Sequence, residues 1–230
     1  MLLVRDLDLA RDSCARMGFT LTPRGFHSLG SQNHCIMFGR DYLELMAVPR
    51  PHPSIRYFSQ FLERGEGVGG LVLATDDAAA AHGELVAAGI PAEPPLALSR
   101  PVEGLGEARF SLVQLPPALT PGLRTLVCQH HTRDIVWRPE YQRHPIGATG
   151  IESVSIAAPD PDLYARLFDK LPVVFSRAPA PAVTALRIGV TDRARAAEIL
   201  KRGGFTPARI GNGSLAVSAA EAHGVALVFG

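Results

Sequence analysis

At 230 residues, with 47% apolar residues and a formal net charge of +1, the chain is long enough for one large or two small cores. Its scattered basic residues weigh against a nucleic-acid surface, and no apolar run approaches the ~20 residues of a membrane span. No cationic start followed by an apolar core and cleavage site is present, so Cys14, Cys35 and Cys128 are read as reduced core cysteines of a cytoplasmic protein.

The chain opens on an apolar strand, MLLV (1–4), followed by Asp6 and a short helix. Asp6 accepts bonds from free first-turn amides and suits the positive end of the helix dipole. Leu7, Ala10, Cys14 and Met17 share one face, Gly18 stops the helix in a left-handed conformation, and Pro23 follows where helix cannot continue. NHCIMFG (33–39) and DYLELMAV (41–48) are two further strands about a turn at Arg40-Asp41. PRPHPS (49–54) is a stiff connector into a short helix at 55–65.

The same pattern then returns three times. A strand at 68–75 leads to Asp77, a helix to about 88, Gly89 and Pro91. Residues 91–107, rich in Pro and Gly, are expected to cross the surface as a loop before strands at 108–115 and 123–131. The stretch 132–150 interrupts the pattern with turn residues. The third copy, with its helix starting near Asp160, places Leu163, Leu167 and Leu171 on one face and Pro172 where the others carry glycine; APAPAV (178–183) ends it early. The fourth has Asp192, Gly204 and Pro207, a hairpin turn about Gly211 and Gly213, and SLAVS (214–218) and GVALVF (224–229) as an antiparallel pair.

The expected architecture is therefore α+β: repeated βαβββ units forming cupped, half-barrel mixed sheets. The expected organisation is an N-terminal paired half (1–131), a connecting clasp (132–149) and a shorter, degenerate C-terminal half (150–230). A cup of this kind suits a small-molecule ligand.

Within that frame Glu44 shares a strand face with Tyr42 and Met46, which is either the cup or solvent. His130 and His131 are adjacent and face opposite ways; His130, ending the strand equivalent to that of Glu44, is the preferred site residue. Trp137, Arg138 and Tyr141 suit an aromatic or anionic ligand, or else a structural clasp between the halves. His34 reaches a pocket or simply ends the sheet. His27 has no partner in sequence, His223 is read as a turn residue, and His52 and His82 as solvent-facing. GEGVGG (65–70) precedes a strand rather than a helix, so it is no phosphate cradle. No G-x-S-x-G elbow is present.

The paired units resemble the vicinal oxygen chelate superfamily of glyoxalase I, extradiol dioxygenases and bleomycin-resistance proteins. LVRDLDLARDSCARMGF (3–19), DYLELMAV, QHHTRDIVWRPEYQRHPIGA (129–148) and AHGVALVF (222–229) resemble its glyoxalase-like domain branch. The resemblance implies a cup-shaped site and a divalent metal taking one ligand from each first and each fourth strand of a paired half. Glu44 matches the usual carboxylate position, and the other fourth strand offers Gln129, His130 and His131, of which His130 is the first choice. The first-strand positions fall near Gly70, Ser153 and Ala185, none of them a ligand, so the set is incomplete. Two readings follow. One is a lyase, isomerase or dioxygenase using Glu44, with a metal on Glu44 and His130. The other is a metal-free binding or resistance protein whose ligand meets His34, His130, Trp137, Arg138 and Tyr141. The cofactor is correspondingly a divalent metal or none. Nucleic acid and membrane are not expected partners, and a homodimer is an open option.

Overall fold

The computed structural model describes residues 1–50, 52–102, 104–168 and 171–230; Pro51 of the predicted connector lies outside them. The first unit runs β1 (Leu2–Leu3), α1 (Leu7–Arg16), β2 (Gly25–Phe26), β3 (Gln32–Met37) and β4 (Tyr42–Ala47). After α2 (Arg56–Arg64) and β5 (Gly67–Val68), the second unit runs β6 (Gly70–Thr75), α3 (Ala78–Ala87), β7 (Leu96–Val102), β8 (Gly106–Gln114) and β9 (Arg124–His130). A short helix, α4 (Arg133–Val136), precedes β10 (Ala148–Ala158), α5 (Pro161–Phe168) and β11 (Val173–Arg177). The fourth unit is β12 (Ala182–Val190), α6 (Arg193–Arg202), β13 (Ala208–Ile210), β14 (Ser214–Val217) and β15 (Ala226–Phe229).

The aspartates set the helix starts as their chemistry predicts. Asp6 accepts from Leu9 N at 2.9 Å, Asp77 from Ala79 N and Ala80 N, and Asp192 from Ala194 N and Arg195 N. α5 begins directly after Asp160. Gly18, Gly89 and Gly204 leave the other three helices at φ +89°, +74° and +88°, a region that side chains rarely adopt. In α5 the buried face is Tyr164 and Phe168. Leu163 and Leu167 are only partly buried, and Leu171 is exposed.

In each complete unit the first strand pairs in parallel with the last: β1 with β4, β6 with β9, β12 with β15. The third unit lacks the two middle strands, so β11, which follows α5 directly, takes the last-strand place and pairs in parallel with β10. Three mixed sheets result, ordered β2-β3-β4-β1-β5, β6-β9-β8-β7 and β11-β10-β12-β15-β14-β13. β5 and β6 are one chain segment interrupted at Gly69, so the first two sheets run on from one another, and β2 approaches β7 across the opening. Their inward faces make the cup.

One expectation fails. Residues 96–102, read as surface loop, form β7, paired antiparallel with β8 from Leu96↔Leu112 to Val102↔Gly106. Pro101 is tolerated because β7 is the outer strand of its sheet and one side of its backbone has no ladder to complete.

The main core lies between the first sheet and the six-stranded sheet. α1 supplies Leu7, Ala10, Cys14 and Met17; α6 supplies Ala196, Ala197 and Leu200; Leu45, Leu186, Ile188 and Phe229 come from the strands. Arg16 Nη1 donates to Gly203 O at 3.1 Å where the two helices meet. The underside of the first sheet is thereby committed to packing, which leaves its concave face for other work. No helix among the described residues is long and apolar enough to cross a membrane.

Candidate functional site

Strand alternation decides which side chains enter the cup. Asn33, Cys35 and Met37 on β3 stand directly opposite Met46, Glu44 and Tyr42 on β4, so all six share one face. Leu43 and Leu45 point the other way, into the core under α1. Across the cup, Phe110 and Leu112 on β8 oppose His130 and Cys128 on β9, and Arg100 on β7 opposes Ala108 on that same face.

Glu44 is half-buried, and its Oε1 accepts from Asn33 Nδ2 at 2.7 Å. Its charge reaches several neighbours. Burial, then Glu44, pushes the Cys128 thiol up to about 12, and the same two causes raise Cys35 and the Tyr42 phenol. His27, held through Nδ1 to Ser31 Oγ at 2.8 Å, is lowered by burial, with Glu44 opposing and Arg100 reinforcing the shift. The Met1 amino group donates to Gly70 O at 2.7 Å, and its burial lowers its pKa against the pull of Glu44.

His130 sits in an aromatic cage. The rings of Phe110 and Trp137 lie at 4.8 Å and that of Tyr42 at 6.2 Å, all edge-on. Its Nδ1 is buried with no hydrogen-bond partner among the described residues. Burial first, then the charges of Arg133 and Arg100, lowers its pKa to about 4, so it is neutral at pH 7.

The segment after β9 folds over the cup. Val136 is buried in one cluster with Cys35, Met37 and Ala108. Trp137 Nε1 donates to Phe38 O at 3.1 Å, and the Arg133 guanidinium lies 3.7 Å from the centre of its ring system. His144 accepts from Thr20 N at Nδ1 (3.0 Å), which puts its proton on Nε2 for Met37 O at 2.9 Å. Between this segment, β3 and β7 a cavity of about 240 Å³ remains, lined by Cys35, Met37, Arg100, Val102, Ile135 and Tyr141, with Arg24 and Arg138 at its rim.

The predicted site residues thus separate into groups. Arg138 and Tyr141 border the cavity. Trp137 and His130 form the aromatic wall behind it, and Glu44 lies beyond Cys35. Glu44 and His130 face the same concavity, but no hydrogen bond joins them among the described residues. His34 is a correction: paired with Leu45, it points away from the cup toward α1, with Nδ1 against Thr22 O at 2.8 Å. The one-residue step from Cys35 puts it on the opposite face.

The donor set does not fit a metal centre of the kind the resemblance implies. Among the described residues no group of three His, Cys, Asp or Glu side chains is placed to hold an ion. A Cβ at Gly70, the first-strand position of the second unit, would strike the Met1 side chain and lie 3.0 Å from Arg124 O. Burial and the Glu44 charge raise the pKa of both the Cys35 and the Cys128 thiol.

Sequence reasoning misses Arg100, because the Pro- and Gly-rich stretch 91–107 reads as loop, and His27, whose neighbours come from distant strands. The alternation Leu96, Leu98, Arg100, Val102 was the available signal for the first. His223, read as a turn residue, does adopt φ +57°, but it also holds Glu66 Oε2 through Nδ1 at 2.9 Å, joining the C-terminal segment to the loop before β5.

Known proteins agree with this architecture. Solved structures that superpose on the chain include a hypothetical protein from Staphylococcus aureus (13% identity, 100% of this chain and 96% of that one, TM-score 0.73). A Mn(II)-bound glyoxalase from Novosphingobium aromaticivorans is also similar (13%, 99% and 79%, TM-score 0.60), as is a mutant of homoprotocatechuate 2,3-dioxygenase from Brevibacterium fuscum (12%, 99% and 69%, TM-score 0.54). No curated protein sequence matches the chain. At these identities the likeness is one of fold. The sequence itself matches the glyoxalase-like domain over residues 1–171, and with the cupped βαβββ sheets this places the chain in the glyoxalase-like domain family of the vicinal oxygen chelate superfamily.

Proposed function

We propose that the chain is a small-molecule enzyme of the glyoxalase-like kind, working in the N-terminal cup with Glu44 as its acid–base group. The observation that carries this reading is the state of that carboxylate. One oxygen is fixed by Asn33 at 2.7 Å, while the other makes no hydrogen bond among the described residues and is free to exchange a proton. Such a group removes a proton from a carbon next to a carbonyl and returns it elsewhere, which is isomerase or lyase chemistry. Neutral His130 and the rings around it supply a dry wall, within which charge interactions strengthen.

A divalent metal in the cup would have Glu44 and His130 as its protein donors, a pair smaller than the three protein ligands of a usual catalytic site. A second reading, a metal-free binding protein, draws support from Val136, whose burial in the cup gives the site the apolar lining of a sequestering pocket.

The test is deuterium uptake in D2O by a panel of small 2-oxo acids, followed by NMR. The wild type should exchange the proton next to the carbonyl faster than the uncatalysed control. Glu44→Gln should bind equally and lose about 10²-fold or more of that rate. Binding without exchange supports the binder, and stoichiometric metal that disappears in Glu44→Ala restores the metal reading.

A further inference from the structure

Three arginines border the cavity under the clasp, and they are not equivalent. Arg24 is paired with Asp8 and bonded to Gln32, and Arg138 is paired with Glu140. Arg100 makes no ion pair and no hydrogen bond among the described residues, although it is half-buried on the concave face of β7. Its guanidinium lies beside Gly25 and Asn33, where a Cβ at Gly25 would come within 3.4 Å of Nη1. A half-buried guanidinium whose donors are left without an acceptor is stabilised by an anion brought to it.

We propose that Arg100 is the anion-binding residue of this cavity and that the substrate is a small monocarboxylate with a single-ring or similarly sized apolar body. The proposal rests on the reading of the cup as a small-molecule site. Guanidinium presents two parallel N–H donors that match a carboxylate. One guanidinium balances one negative charge, and the Glu44 carboxylate on the same concave surface repels a second. Met37, Val102, Ile135 and Tyr141 provide the apolar walls. The volume, about 240 Å³, falls below the ~300–1,000 Å³ typical of drug-sized ligands, which restricts the body to about one ring. Anchored on Arg100, such a ligand extends toward Cys35, directly opposite Glu44. The arrangement separates the group that recognises the substrate from the group that exchanges its proton.

The test compares phenylacetate with its neutral counterpart phenylacetamide by ligand-observed NMR titration. Phenylacetate should bind the wild type about tenfold or more tightly than the amide, and Arg100→Met should weaken the acid to the level of the amide while leaving the amide unchanged. Arg100→Lys, which keeps the charge without the fork, should fall between. Equal binding of acid and amide, unaffected by either variant, overturns the role of Arg100 and leaves the cup as a ligand site. Tighter binding of phenyl phosphate than of phenylacetate overturns the monocarboxylate assignment. Failure of every probe to bind overturns the small-molecule reading along with it. If neither variant folds, the acid-to-amide ratio in the wild type decides.

Discussion

Trp137 offers the sharpest energetic test of the clasp. The indole is half-buried, and four contacts hold it: the hydrogen bond to Phe38 O, the edge-on rings of His130 and Tyr42, and the Arg133 guanidinium above it. A fully buried Trp→Ala truncation costs about 3–5 kcal/mol, and half-exposure removes part of that transfer term. The lost hydrogen bond adds about 1 kcal/mol, and each ring pair about 0.5–1.5 kcal/mol. Trp137→Ala is therefore expected to destabilise by about 3 kcal/mol, and Trp137→Phe, which keeps a ring and loses the N–H, by about 1 kcal/mol. Urea melts of the two variants measure both. A cost below about 1 kcal/mol for the alanine variant would refute the clasp as a structural element, since it is less than the hydrogen bond and one ring pair together. A double-mutant cycle with His130→Ala should return a coupling of about 0.5–1.5 kcal/mol, because the two rings meet directly.

Acid should weaken the fold. His130 has a folded pKa of about 4, below its unfolded value of about 6.5, so the neutral ring contributes stability above pH 6.5 that is lost as pH falls toward 4. Discounted for partial exposure, this amounts to about 2 kcal/mol, and His130→Phe should flatten the pH dependence of the urea midpoint over that window. Asp192→Ala removes the bonds to Ala194 N and Arg195 N and should cost about 1 kcal/mol in the same melts. His223→Ala loses the bond to Glu66 and leaves alanine at φ +57°, for a cost of about 1–2 kcal/mol; His223→Asn, which tolerates that backbone, should cost less, and neither should alter ligand binding in the cup.

The repeated unit was legible because its punctuation is local. Asp6, Asp77 and Asp192 cap helices, and Gly18, Gly89 and Gly204 end them, for reasons contained within a few residues of each. The face of Glu44 was half-legible: alternation grouped it with Tyr42 and Met46, and only the fold decided between cup and solvent. Three things were not legible. β7 was hidden by Pro101, which excludes an interior strand but not an edge one. His34 looked like a pocket residue because a strand read without its partner does not show which face is covered. The neighbourhood of His27, Arg100 and Glu44 is assembled from two strands of two sheets and the turn after β2, and no local pattern encodes such a meeting.

The shortened third unit has a kinetic consequence. In the first two units the first strand cannot join its sheet until the last strand of its unit arrives: Leu2 waits for Leu45, and Gly70 for Arg124. In the third unit Val154 pairs with Val173 across little more than one helix. Closing the shorter loop gives up less chain entropy, and topologies rich in near-neighbour pairings form faster. Among the parallel first-to-last pairings, β10–α5–β11 is thus the natural first to form. β12 adds to its free side, and β15 and β14 then complete the sheet against which α1 and α6 settle. In this order the parallel closures that complete the cup, Leu2 with Leu45 and Gly70 with Arg124, come last, and they do so on a support already in place.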